Sequence, residues 1–450
     1  MSHTWRAPRP VVVVALAGAA LLGACNQDVP TASSTTNLLD ASRRFDQATP
    51  IAVSAHAVAL VPNDVLAVEN GVTIFHGGFG SALDQRPGRP NELYSLTDRG
   101  PNVSGTGNDK LFPVPGFNPQ VGRFHFEHGK LVRDEIITLK TATGGPRSGL
   151  PVGASGCGAT GETPRTLDGT LLPFDPNGID SEGLRVMEDG SFWVSDEYGP
   201  FIIHFDRHGR TLEQDSPCGG PHPLPAVLVK RQANKGMEGL AALAGGRVLV
   251  GIIQNPLDNP NHAAAKASHL LRIVVLDVRT GSIRQYLYPM DDPGYGASEI
   301  EAVSSTRFLV DERDGKFFHD PAGASVQKKI YLIDITGATD VNDPANGANG
   351  LMIGGKTLEQ LSDSALAANS IVPVKKTLVV DMLAFGYPHD KAEGMTLSDD
   401  GRTIAVSNDD DFGVTDDGNG HFIQKLLPSG AVDHNEVWFF GLNRSLREEH

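Results

Sequence analysis

Residues 180–210 read DSEGLRVMEDGSFWVSDEYGPFIIHFDRHGR, and this stretch decides the fold class. Leu184 to Met187 is a short apolar run, Glu188-Asp189-Gly190 is turn chemistry, and Ser191 to Ser195 is a second run containing Trp193 and Val194. After the loop Asp196 to Pro200, Phe201 to Phe205 forms a third run, closed by the turn Asp206 to Gly209. Short apolar and β-branched segments punctuated by Gly and Asp predict an antiparallel meander of hairpins.

The pattern recurs along the chain. Glu393-Gly394 opens Met395 to Leu397, with a turn ending at Gly401 and a second strand over Thr403 to Ser407. Glu238-Gly239 opens another copy, with Gly245-Gly246 as its turn and Arg247 to Ile253 as its return. Ser298 to Ala302 and Arg307 to Val310 make a fourth, and Glu92 to Leu96 leads into Thr97-Asp98-Arg99-Gly100-Pro101. Arg272 to Leu276 and Lys329 to Ile335 suit outer strands. Meanders repeated at tens of residues predict an all-β fold of β-propeller type. Thr357 to Ala368 is expected as a small helical insertion.

Each hairpin opens just after an acid and usually closes just before one. Antiparallel pairing places those two ends side by side, away from the turn. Glu182 is therefore expected beside Asp196 and Glu197, Glu393 beside Asp409 and Asp410, and Glu301 beside Asp311 and Glu312. Glu238 meets the amides Gln254 and Asn255 instead. Gathered carboxylates repel and call for a neutralising partner. Nearby bases are few (Arg99, Lys235, Arg313, Lys391), and hard oxygen ligands suit Ca2+. The expected metal ligands are Glu182, Asp196, Glu197, Glu238, Glu301, Asp311, Glu312, Glu393, Asp409 and Asp410. Strand-end capping by Asp and Asn would explain any single copy.

The ends of the chain carry other signals. Arg6 and Arg9 precede the twelve-residue apolar run Val11 to Leu22, too short to span a bilayer but suited to a signal peptide. It ends in Leu22-Gly23-Ala24-Cys25, similar to a bacterial lipobox with Cys25 as the lipidation site. The expected organisation is a signal peptide over 1–24, a Ser/Thr/Asn-rich tether over 25–50 and one propeller domain over 51–445. This predicts export to the cell envelope, with the membrane as partner through the lipid and Asn26 hinting at the outer membrane. Cys157 and Cys218 then remain for a disulfide in an oxidising compartment. The formal net charge of −16, from 54 acidic and 38 basic residues, argues against nucleic acid as a partner.

The stretches Thr97 to Pro101, Gly178 to Leu184, Trp193 to Pro200, Lys235 to Leu240, Glu312-Arg313-Asp314 and Glu393-Gly394-Met395 together resemble the phytase-like esterase family, described by an esterase-like activity of phytase. The resemblance runs from about Ile51 to Phe440. It implies a hydrolase of small-molecule esters or phosphoesters on a propeller, and analogy with phytase propellers suggests six blades. The implied reaction is metal-assisted hydrolysis, with Glu182, Asp196 and Glu393 as catalytic candidates and Arg99, Lys235, Arg313 and Lys391 holding substrate. No G-x-S-x-G elbow is present, and His204, His208 and His389 lack diagnostic spacing. His389-Asp390-Lys391 is expected at the edge of the site. A calcium-dependent lactonase and a non-catalytic, metal-braced binding propeller are the competing readings.

Overall fold

The computed structural model describes residues 51–447. The signal peptide, the tether and Cys25 lie outside the described residues.

Five antiparallel sheets of four strands make the body. Their first strands are Ala82–Gln85, Ser181–Val186, Met237–Leu243, Gly296–Ala302 and Met395–Leu397. Each first strand returns through a tight turn and the sheet then continues outward. Among these first strands, each packs beside the next in chain order, and Met395–Leu397 packs beside Ala82–Gln85. Against the six blades that analogy suggests, the described residues hold five four-stranded sheets. Two long excursions account for the uneven spacing of the repeats. Residues 335–374 leave the fourth sheet between its third strand, Lys328–Asp334, and its fourth, Lys375–Asp381. Residues 139–180 separate the first sheet from the second. Both excursions carry short strands of their own, Thr163–Arg165 in one and the pair Met352–Ile353 with Lys356–Thr357 in the other, but no further four-stranded sheet. The insertion expected over Thr357 to Ala368 holds a 3-10 turn, Leu358–Gln360, and a short α-helix, Asp363–Ala368. A second short helix, His262–Ala267, carries no sequence period that marks it.

The Glu-Gly pairs have a packing cause. A Cβ on Gly183 would lie 2.8 Å from Leu240 N and 2.9 Å from Glu238 O; one on Gly239 would lie 2.5 Å from Ile300 N; one on Gly394 would lie 2.5 Å from Leu83 N. Each glycine thus lets one first strand touch the backbone of the next. Buried hydroxyls staple the same seams: Ser195 Oγ donates to Glu238 O at 2.7 Å, and Ser407 Oγ to Gly80 O at 3.0 Å. A Gly239→Ala variant is expected to lose about 1–3 kcal/mol of stability by forcing two first strands apart. Urea unfolding checks it, and an unchanged midpoint would remove the close-packing explanation.

The last sheet joins both ends of the described chain, because Val53–Leu60 is its outermost strand, paired with Glu436–Leu442. Ala52 N donates to Asn443 Oδ1 at 3.1 Å. From there residues 443–447 run to the turn that closes the first hairpin of this sheet. Ser445 Oγ donates to Asp400 O at 2.7 Å, and Leu446 N to Gly401 O at 2.8 Å. Ala52 therefore lies on the side of the turns, opposite to Glu393 and Asp409 at the other end of that hairpin.

Candidate active site

The pairing register identifies equivalent positions in the five sheets. Ala82, Leu184, Leu240, Ile300 and Met395 on the first strands face Leu96, Val194, Gly251, Val310 and Val406 on the second. Two residues before the first set stand Gly80, Glu182, Glu238, Ser298 and Glu393. Three residues beyond the second set stand Arg99, Glu197, Gln254, Arg313 and Asp409. All five of this second group line one cavity of about 290 Å3, together with Glu182, Glu238 and Glu393. Hairpin geometry thus brings residues more than 300 positions apart to one mouth.

The register also corrects several expected ligands. Bulges fall between Ser181 and Leu184, Met237 and Gly239, and Ala297 and Glu299. In the fourth sheet the position of Glu182 and Glu238 is therefore held by Ser298, and Glu301 lies three residues too far along. The Glu301 carboxylate is 3.0 Å from Arg185 Nη2 and lines a separate cavity on the turn side with Asp84 and Arg447. Asp196 and Glu312 occupy alternate positions of the strand, whose side chains point away from the mouth. Asp196 Oδ1 accepts from Tyr198 N at 2.6 Å. Glu312 accepts from Tyr288 Oη at 2.7 Å and Gln327 Nε2 at 2.8 Å. Asp311 is buried outside the cavity lining, and burial lifts its carboxyl to about 8. Asp410 caps a turn through bonds from Gly78 N at 2.9 Å and Phe412 N at 3.1 Å. None of these five reaches the mouth. Metal ligation and, for Asp196, catalysis do not follow from their placement.

Residues the sequence reading passed over complete the site. Asp98, Asp180 and Asp411 line it, along with Lys110, Asn234 and Asp416. Asp98 and Asp180 lie inside the quoted motifs, and Asp411 follows the Asp409-Asp410 pair, so their proximity was the available signal. Lys110 belongs to the three-residue strand Asp109–Leu111, inside a loop without period. That strand pairs with Val103–Ser104 and Thr163–Arg165 to form a small roof over the mouth. A second roof piece, the hairpin of Val414–Asp416 with Phe422–Gln424, meets the first where Ser104 N donates to Asp416 Oδ2 at 3.4 Å. Cys157 and Cys218 are joined, with Cα atoms 6.3 Å apart.

The electrostatics are those of crowded, dry carboxylates. Burial, then the charges of Glu238, Asp180, Glu197 and Glu393, pushes the Glu182 carboxyl well above its ordinary 4.5. Burial and Glu238 do the same to Glu197. Burial and Glu393 raise Glu238 to about 7, and burial raises Asp409 to about 6 against the pull of Lys391. Asp411 moves the other way: burial opposes it, but Lys391 and Lys425 hold it well below the usual carboxylate range. Oxygens of Asp180, Glu182 and Glu197 lie within 4.8 Å of one another. Asp180 Oδ2 and Glu238 Oε2 are buried with no hydrogen-bond partner. Three hard-oxygen donors held this close, with mutual repulsion and an unbonded buried oxygen on Asp180, fit a divalent cation.

The bases are arranged around this triad. Arg99 reaches Glu162 at 2.8 Å and Asp180 at 3.4 Å. Arg313 reaches Glu393 at 2.5 Å and also donates to Ser298 Oγ at 2.7 Å. Lys391 bridges Asp409 at 2.5 Å and Asp411 at 2.7 Å, and Lys235 bonds Gln254. The expected site edge at His389 divides in two. Lys391 lines the cavity, whereas His389 is buried behind it, between Asp433 at 2.6 Å and Glu436 at 3.1 Å. Among the described residues no histidine or cysteine lines the cavity, and its only apolar members are Val103 and Val414.

A family profile described as phytase-like, esterase-like activity of phytase, matches residues 74–412. The chain belongs to this family. The matched span of the phytase-like domain contains every cavity residue named above except Val414 and Asp416. A protein of Arthroderma benhamiae named "Uncharacterized secreted protein" is 27% identical over 352 residues, covering 60% of this chain and 67% of its own. Two solved structures align along most of their length at low similarity. Pseudomonas fluorescens PhoX in complex with vanadate has a TM-score of 0.34 and 9% identity, over 87% of this chain and 96% of that one. The luciferin-regenerating enzyme has a TM-score of 0.33 and 8% identity, over 88% and 100%. These scores are too low to carry an argument about this phytase-like protein.

Proposed function

We propose that this chain is an exported, lipid-anchored hydrolase that cleaves small phosphoesters at the acidic mouth of a closed, five-bladed propeller spanning residues 51–445. The observation that carries this reading is the lining of the cavity. Nine carboxylates, three of them the clustered triad, share it with five cationic side chains and almost no apolar surface. Such a lining suits a compact, highly charged substrate and repels the alkyl chain of a lipid ester. Family membership supplies ester hydrolysis as the reaction class. The secreted relative and the lipobox at Cys25 support export.

Asp180, Glu182 and Glu197 would hold the metal, with Ca2+ the expected ion. When bound, it supplies neutralisation of phosphoryl charge and a water of lowered pKa. The remaining steps fall to the chain. Arg99 and Arg313, both fixed by carboxylates, orient phosphoryl oxygens through their forked donors. Glu238, lifted to about 7, can take a proton from an attacking water near neutral pH. Ser195 cannot serve as a nucleophile, because it is fully buried and its hydroxyl is spent on Glu238 O.

The test is turnover of a phosphate monoester, a carboxylic ester and a lactone with calcium and then with chelator. Phosphate-ester cleavage that stops on chelation and returns with calcium is expected. Cleavage of only the lactone or the carboxylic ester would overturn the substrate class. Loss of thermal stability on chelation, with no turnover of any ester, would overturn the enzyme.

A further inference from the structure

The cationic side chains of the mouth differ in how far their charge is spent. Arg99, Arg313 and Lys391 each hold a carboxylate oxygen at 2.8 Å or less, and Lys235 is bonded to Gln254. Lys110 is different. The acid nearest its ammonium is Glu162, at 3.9 Å. The other oxygen of Glu162 already accepts from Arg99 at 2.8 Å and Thr160 at 2.9 Å. Among the described residues no hydrogen bond is made by Lys110 Nζ. Its side chain is only 16% exposed, so the ammonium meets solvent only through the cavity.

Resting on the phosphoester reading above, we infer that Lys110 is an anion-contacting residue that the roof contributes to the mouth, donating to a phosphoryl oxygen of the bound substrate. The geometry favours this over a structural lysine. The ammonium faces a polar cavity with no protein hydrogen-bond acceptor for its three donors, while the arginine beside it is tied down. Burial and the neighbouring Arg99 charge also lower the ammonium to about 8, the state that an incoming anion relieves. The roof strand itself is fixed on both sides, by Val103–Ser104 and by Thr163–Arg165, so Lys110 is delivered by a framed element.

The experiment uses the calcium-loaded mature protein and inorganic phosphate as probe. Titration calorimetry is expected to show Lys110→Met binding phosphate about tenfold or more weakly than wild type. Lys110→Arg should stay close to wild type, and calcium affinity should be unchanged in both. Phosphate affinity unaltered in Lys110→Met overturns the assignment alone. Wild-type protein that binds calcium but not phosphate overturns both the assignment and the phosphoester reading. In wild-type protein, which needs no variant to fold, phosphate should slow acetylation of Lys110 as read by mass spectrometry. Acetylation of Lys110 at the same rate with and without phosphate also counts against it.

Discussion

Glu182→Gln is expected to weaken calcium binding by about 10–100-fold or more while making the metal-free protein more stable above neutral pH. The two effects have one cause. The folded Glu182 carboxyl titrates well above its ordinary 4.5, because burial and four neighbouring carboxylates disfavour its charge. A group raised in this way stabilises the fold fully below about 4.5 and loses that contribution as pH rises through its folded value. An amide of the same shape never ionises, so the variant should outlast wild type in chelator at pH 8 and match it near pH 5. Calcium reverses the order. At a hundred times its Kd a ligand stabilises the native state by about 2.7 kcal/mol, and a site weakened a hundredfold keeps only about 0.4. Thermal melts of both proteins, with and without calcium, check this. If calcium shifts the variant as far as wild type, Glu182 is no ligand.

His389→Leu should cost about 3–5 kcal/mol near pH 6 and progressively less as pH rises toward 10. His389 is 1% exposed, Asp433 is fully buried, and removing one partner of a buried pair leaves an uncompensated charge. Burial opposes its protonation, yet hydrogen bonds to Asp433 and Glu436 lift the imidazolium to about 9. The stabilisation is full below about 6.5 and is lost as pH rises through 9, where wild-type His389 is neutral as well. Urea unfolding of both proteins at pH 6 and pH 10 gives the difference. A cost that does not change between these pH values would mean that packing, not the ion pair, is what the leucine disturbs. The link to the site runs through Lys425, which lies 3.2 Å from Asp433 and 2.7 Å from Asp411 of the cavity.

Much of this architecture is legible in the residues. Short apolar runs and turn chemistry reveal the hairpins, and the Glu-Gly pairs mark where first strands meet. The same logic brings Glu182, Glu238 and Glu393 together with Arg99, Lys235, Arg313 and Lys391. Its failures have specific causes. Acids stand at both Glu299 and Glu301 around the start of the fourth first strand, and only the pairing of Ile300 with Val310 shows that Ser298, not Glu301, is the counterpart of Glu182. Side-chain parity at a strand end decides that Glu197 faces the mouth and Asp196 does not, and a run of acids hides which parity applies. Lys110 and Asp416 arrive on insertions that pair with each other across more than 300 residues, a contact no local pattern encodes. The last sheet takes its outer strand from the beginning of the domain, so counting repeats along the chain does not count sheets.

The strand borrowed by the last sheet has a consequence for how the molecule stands. Residue 52 meets Asn443 on the side of the hairpin turns, while the carboxylates open on the opposite side. A lipid on Cys25, as proposed, would leash the body by its floor, on a cord of 26 residues (51 − 25) reaching at most about 90 Å. Attachment there would leave the mouth at the end away from the leash, so that the anchor itself would not obstruct the entry of solutes.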